Sequence, residues 1–123
     1  MTEHDAQRER GLEMMSRVYG WTLPVVEGAF VESTVDHLFG EVWANGSMSV
    51  RDRRLLLIGL LVAGGDPDVL AIQFGSALAL GEMTPDELRE MVLLIAHYAG
   101  WPKAAKVNNL AEAAIAKQQS QDT

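Results

Sequence analysis

The chain is 123 residues long and 48% hydrophobic, carries a formal net charge of −7 and contains no cysteine. Such a length encloses one core rather than two, and the acidic balance, with ten mostly scattered Lys and Arg, opposes a phosphate-binding surface, so no nucleic-acid partner is expected. Without a thiol, this chain has no disulfide, no thiolate metal site and no thiol-based redox or nucleophilic mechanism.

Nothing alternates long enough to form a strand, and Gly and Pro fall at the borders of apolar segments with helical spacing. An amphipathic helix is predicted from about Asp5 to Tyr19, with Leu12, Met15 and Tyr19 on one side, and Gly20-Trp21-Thr22-Leu23-Pro24 breaks it. A second apolar segment runs from Ser33 to Trp43 and is closed by Asn45-Gly46. Ser49-Val50-Arg51-Asp52 has the spacing of a capping box, so a third helix is predicted from about Val50 to Ala63. Its Leu55-Leu56-Leu57-Ile58 and Leu60-Leu61-Val62 are apolar all round, which predicts burial on both sides and a central position.

Gly64-Gly65 ends that helix, and Asp66-Pro67 caps and opens the next, which runs to Gly81. Thr84-Pro85-Asp86-Glu87 combines a capping box with proline in the first turn and starts a helix reaching Tyr98. Gly100 and Pro102 then form a joint to the last helix, from Pro102 to about Gln118, whose alanines favour helix and permit close approach. Residues 1–5 and 119–123 are expected to fray. The reading is all-α, about six helices in a single domain over residues 1–123.

Hydrophobic content exceeds what one small core absorbs, so a homo-oligomer is expected. The opening MTEHDAQRER lacks the apolar core of a signal peptide, and the longest apolar run, Leu55 to Gly65, is too short to span a bilayer. A soluble cytoplasmic protein with no membrane partner is the expectation.

Among the histidines, His4 lies near the expected frayed end and His37 on the second helix, which leaves His97 placed like a site residue. Two readings stand for it: a core imidazole bonded to a neighbouring carbonyl, or a titratable group held at an apolar corner. Tyr98 and Trp101, in the same turn, are either packing residues or walls of a site. Arg51, Arg53 and Arg54 share the start of a helix, where the macrodipole disfavours positive charge. Ion pairs with Glu41, Asp52 or another subunit offset that placement, or a substrate carboxylate does. Glu41 and Trp43, just upstream, reach the same region. No His and carboxylate cluster at metal spacing, glycine-rich phosphate loop or Ser-His-Asp set is present, so no metal is expected.

Four segments go further when read in order. Phe39-Gly40-Glu41-Val42-Trp43, Arg51-Asp52-Arg53-Arg54-Leu55, Ala77-Leu78 with Gly81, and His97-Tyr98-Ala99-Gly100-Trp101-Pro102-Lys103-Ala104-Ala105 resemble the carboxymuconolactone decarboxylase family over about residues 8 to 118. The resemblance implies the all-helical fold shared with alkylhydroperoxidase D, usually assembled as trimers or hexamers of small subunits. The peroxidase branch looks like Glu, a Cys-x-x-Cys pair, then His; the corresponding positions are Arg54, Asp66, Val69 and Gln73, and none matches. Thiol peroxidase chemistry is therefore excluded. The decarboxylase branch commonly keeps a histidine eight residues before the glycine ending the fourth helix; that glycine is similar to Gly81, and the residue here is Gln73. Glutamine donates and accepts hydrogen bonds but shuttles no proton near neutral pH. Either the reaction is lost or that role moves to His97.

What the resemblance implies is a cofactor-free lyase that decarboxylates a small carboxylated lactone, such as 4-carboxymuconolactone in aromatic-compound catabolism. Arg51 or Arg54 would hold substrate carboxylates, Gln73 would donate to the developing enolate and His97 would supply the proton. Trp43 and Trp101 would form an apolar wall, with Glu41 and Tyr98 also contacting substrate. The alternative is a non-catalytic or diverged member that binds a small ligand or serves as an assembly module, motivated by Gln73 and the missing cysteines.

Overall fold

The computed structural model describes residues 1–24 and 27–122. Its elements in chain order are α1 (Glu3–Tyr19), α2 (Ala29–Ser33), a π-helical stretch (Thr34–Trp43), α3 (Val50–Gly64), α4 (Pro67–Ala79), α5 (Pro85–Ala99) and α6 (Trp101–Gln121). No strand occurs among the described residues, so the protein is all-α. Two compact units divide within α3, one covering residues 1–53 and the other 54–123.

In the first unit, α1 opens at Glu3, earlier than periodicity predicts. The Thr2 hydroxyl accepts from Asp5 N at 3.0 Å and Asp5 Oδ2 accepts from Thr2 N at 3.2 Å, a reciprocal cap that holds the end expected to fray. At the other end Gly20, at φ 91°, closes α1 in the left-handed region. The apolar segment predicted from Ser33 to Trp43 is not an ordinary α-helix, because from Thr34 onward its hydrogen bonds run i to i+5. Apolar spacing over ten residues does not separate the two geometries.

Two glycines let α1 and the π-helical stretch approach closely. A side chain at Gly11 would overlap the Val35 carbonyl, and a Cβ at Gly40 would stand 2.7 Å from the Gln7 carbonyl oxygen. Around this contact Met15, Val18, Val35 and Phe39 form a small core. A fork of Arg8 on Asp36 pins its edge, with Nε on Oδ1 at 3.0 Å and one terminal nitrogen on Oδ2 at 2.8 Å. The Arg8 guanidinium, aided by His4, holds the Asp36 carboxyl at a pKa of about 2 against the pull of burial. Arg53 donates to the carbonyls of Val42, Trp43 and Asn45, closing the open acceptors after the π-helical stretch. Gly46, at φ 105°, makes the turn beneath it; a Cβ there would lie 2.9 Å from the guanidinium.

The second unit is built from stripes with the period of a helix. Ile58 and Val62 of α3, Leu70, Phe74 and Ala77 of α4, Leu88 and Val92 of α5, and Val107, Ala111 and Ile115 of α6 form its core. The opposite side of α3 is not covered: Leu56 is 60% and Leu60 71% exposed, against the expectation of burial on both sides. A continuous apolar run carries no information about which side meets the core. The predicted boundaries are otherwise reproduced by their caps. Ser49 Oγ accepts from Asp52 N at 3.0 Å, and Thr84 and Glu87 form a full capping box. At the far end α6 continues to Gln121, and the Gln118 amide donates to Leu78 O at 2.9 Å, tying into the unit a segment next to the tail expected to fray.

Candidate functional site

Among the described residues of the second unit lies a deeply buried ionic array, centred on Arg54. Its guanidinium is 1% exposed and forks onto Glu82, with Nε on Oε1 at 2.6 Å and a terminal nitrogen on Oε2 at 3.2 Å. The other terminal nitrogen donates to Gln73 Oε1 at 2.7 Å. Arg54 comes from α3 and Gln73 from the middle of α4, where the stripe that buries Leu70 and Phe74 also carries it inward to 2% exposure.

Glu82 was not among the residues singled out from the sequence. Gly81, at φ 69°, turns the chain after α4, and the backbone N–H groups of Glu82 and Met83 both return to Ala77 O, at 2.9 and 3.2 Å. That double bond fixes the loop and directs the acid toward Arg54. A lone acidic residue after the left-handed glycine of Ala-Leu-Ala-Leu-Gly was the available signal.

The array has definite chemical consequences. A guanidinium has donors only, so the Gln73 atom facing it must be the carbonyl oxygen, and the amide NH2 must point the other way. Arg54 therefore locks Gln73 as a hydrogen-bond donor of fixed direction. Its positive charge is matched by Glu82.

The other expected residues fall elsewhere. His97 is exposed in the last turn of α5, with Nδ1 2.8 Å from Leu93 O. Because a carbonyl only accepts, Nδ1 carries the proton and Nε2 is left as the acceptor. His97 thus bonds a neighbouring carbonyl, on the surface rather than in a core. Trp101 meets the imidazole edge to face at 5.4 Å between centroids. Tyr98 is 87% and Trp101 60% exposed, so this turn is not the packed corner its composition suggests. His97, Tyr98 and Trp101 share the joint between α5 and α6.

Arg51, Glu41 and Trp43 belong to the first unit. Arg51 lies 3.8 Å from Asp52, an exposed pairing. Glu41 accepts from the Gln7 amide at 2.6 Å and lies 3.6 Å from His37 Nδ1. Trp43 stacks on Phe39 at 6.1 Å, and Phe39 in turn meets Tyr19 at 5.9 Å, so this indole extends an aromatic row. The three neighbouring arginines consequently have three separate fates: a surface ion pair, a carbonyl cap and the centre of the buried array.

The family model of the carboxymuconolactone decarboxylase family matches residues 28–113, more than half of the chain. The chain belongs to the carboxymuconolactone decarboxylase family. It is also 34% identical over 74 residues to a 4-carboxymuconolactone decarboxylase of Acinetobacter baylyi, across 60% of this chain and 54% of that protein. The chain therefore matches about half the length of that curated relative. Arg54, Gln73, Glu82 and the joint at His97 to Trp101 all lie within the stretch matched to the carboxymuconolactone decarboxylase family. Asp66 and Val69, at the positions that resemble the peroxidase cysteine pair, are joined as a helix cap: Asp66 Oδ1 accepts from Val69 N at 3.2 Å. No helix among the described residues is long and apolar enough to cross a membrane.

Proposed function

We propose that this chain is a carboxy-lyase of the carboxymuconolactone decarboxylase type, removing CO2 from a small carboxylated lactone, with 4-carboxymuconolactone as the specific substrate. The observation that carries the reading is the Gln73 amide, buried and locked by Arg54 with its NH2 directed away from the guanidinium. In such a reaction the bond between carbon and the leaving carboxylate breaks, its electron pair moves toward the lactone carbonyl, and a proton is added to complete the product. The substrate supplies its own electron sink, so no cofactor takes part. Gln73 Nε2 donates to the oxygen where charge develops, a role that needs a neutral donor of fixed direction and no titration. We assign the proton to His97, which would deliver it from Nε2 in the imidazolium form while Nδ1–H stays on Leu93 O.

Turnover of 4-carboxymuconolactone, followed by its ultraviolet absorbance, tests the reading. Gln73→Leu removes the donor and is expected to lower kcat by about 100-fold to 1000-fold, the usual cost of a lost oxyanion donor. Gln73→His keeps activity, because Arg54 would donate to one ring nitrogen and leave the other as an N–H donor. No turnover above background by folded wild-type protein refutes the reading. The alternative, a ligand-binding or assembly member, would then stand, and near-complete burial of the array favours it.

We further infer that the chain forms a homo-oligomer, trimeric or hexameric. Leu56, Leu60, Leu93, Leu94, Tyr98 and Trp101 are all more than half exposed, a cost in water that a subunit interface removes. Light scattering at micromolar concentration that returns the 13.5 kDa monomer contradicts it.

A further inference from the structure

A cavity of about 500 Å³ lies in the second unit, between the end of α3, the start of α4 and the first turns of α6. None of Arg54, Gln73 or Glu82 lines it, so it is separate from the buried array. Its volume falls within the range of small-molecule sites, roughly 300 to 1,000 Å³. Leu61, Leu70, Val107 and Leu110 give it apolar walls.

The charged residues at the cavity are Lys103, Lys106 and Asp66, and they are not equivalent. The Asp66 carboxylate is committed to the N-terminus of α4 through Val69 N. Lys103 Nζ reaches only the carbonyl of Ala63, at 3.4 Å, and Lys106 forms no ion pair with a carboxylate among the described residues. Two exposed cations thus stand at an apolar cavity with no ion pair to a carboxylate among the described residues, in a chain whose net charge is −7. The first turn of α6 beside them also lacks an acidic residue and a side-chain cap.

We propose that this cavity binds a monoanionic amphiphile, an apolar body of several carbons bearing one carboxylate, with the carboxylate at Lys103 and Lys106. A neutral apolar molecule gains nothing from the two exposed ammonium groups, and a small hydrophilic anion leaves the apolar walls in contact with water. The assignment does not depend on the decarboxylase reading.

Octanoate and octan-1-ol share an apolar chain and differ in charge, which makes them the probes for calorimetric titration of the full chain. Octanoate is expected to bind saturably, and at least tenfold more tightly than octan-1-ol. Replacing both lysines by methionine should bring octanoate down to the affinity of the alcohol. Ala99→Trp, at an exposed position on the rim, should block both probes, with circular dichroism confirming that each variant is folded. Absence of octanoate binding, including because a second copy of the chain covers the cavity, overturns the proposal. So do equal affinities for the two probes, or Ala99→Trp protein that binds octanoate as wild type does.

Discussion

Removing Glu82 from beneath Arg54 separates the structural from the orienting role of the buried array. Glu82→Leu deletes both oxygens that accept from Arg54 Nε and its terminal nitrogen, at 2.6 and 3.2 Å, while the guanidinium stays 1% exposed. Hydrogen bonds to charged groups contribute about 1.5 to 3 kcal/mol each, and breaking a buried ion pair from one side costs about 3 to 5 kcal/mol. Both routes give a loss near 4 kcal/mol, a large share of the roughly 5 to 15 kcal/mol that stabilises a typical domain. Arg54→Met combined with Glu82→Leu removes the stranded charge as well, and should recover most of that loss. The same double variant frees the Gln73 amide to rotate, so decarboxylase activity should stay low although stability returns. Urea unfolding followed by circular dichroism supplies the stabilities, and absorbance assays supply the rates. A Glu82→Leu loss below about 1 kcal/mol would show that Arg54 is not held by this carboxylate, and full activity in the double variant would show that its hold on Gln73 is irrelevant to turnover.

Gly11→Ala forces a methyl group onto the Val35 carbonyl and should destabilise the first unit by about 1 to 3 kcal/mol or more. Gly59→Ala, in the interior of α3 where the new Cβ would meet nothing within 4 Å beyond its chain neighbours and the local helix backbone, should instead stabilise by about 0.5 to 1 kcal/mol; thermal melts decide the sign of each. The Asp36 carboxyl is depressed to about 2 by Arg8, so its contribution is complete above its ordinary value of 3.8 and is lost as pH falls through about 2. Melting temperature should therefore drop between pH 4 and pH 2, and an Asp36→Asn protein should lack that component of the drop. Ser76 Oγ is buried without a hydrogen-bond partner among the described residues, so Ser76→Ala should raise stability by about 1 kcal/mol; a loss in urea unfolding would mean that the hydroxyl is satisfied in solution.

Four helix borders were legible because their caps are made by residues within four positions of one another, whereas the equally local box of Thr2 with Asp5 was missed. Thr84 with Glu87, Asp66 with Pro67, Ser49 with Asp52, and Gly100 before Pro102 act through local backbone groups, so spacing alone predicts them. The order of four segments was enough to indicate the carboxymuconolactone decarboxylase family. The π-helical stretch was not visible, because it differs from an α-helix in hydrogen-bond partner rather than in apolar spacing.

Contacts between residues far apart in the chain decided the rest. Arg51, Arg53 and Arg54 are chemically alike and adjacent, yet the last becomes buried because Glu82, 28 positions away, and Gln73, 19 away, are the groups that meet it. The aromatic turn at His97 could equally have closed a core, and the packing of α5 against α6 leaves Tyr98 and Trp101 outside it. Local sequence sets which torsions and caps are favourable within a turn or two of helix. Which charge is desolvated, and which apolar side is left facing water, depends on partners that no local spacing specifies.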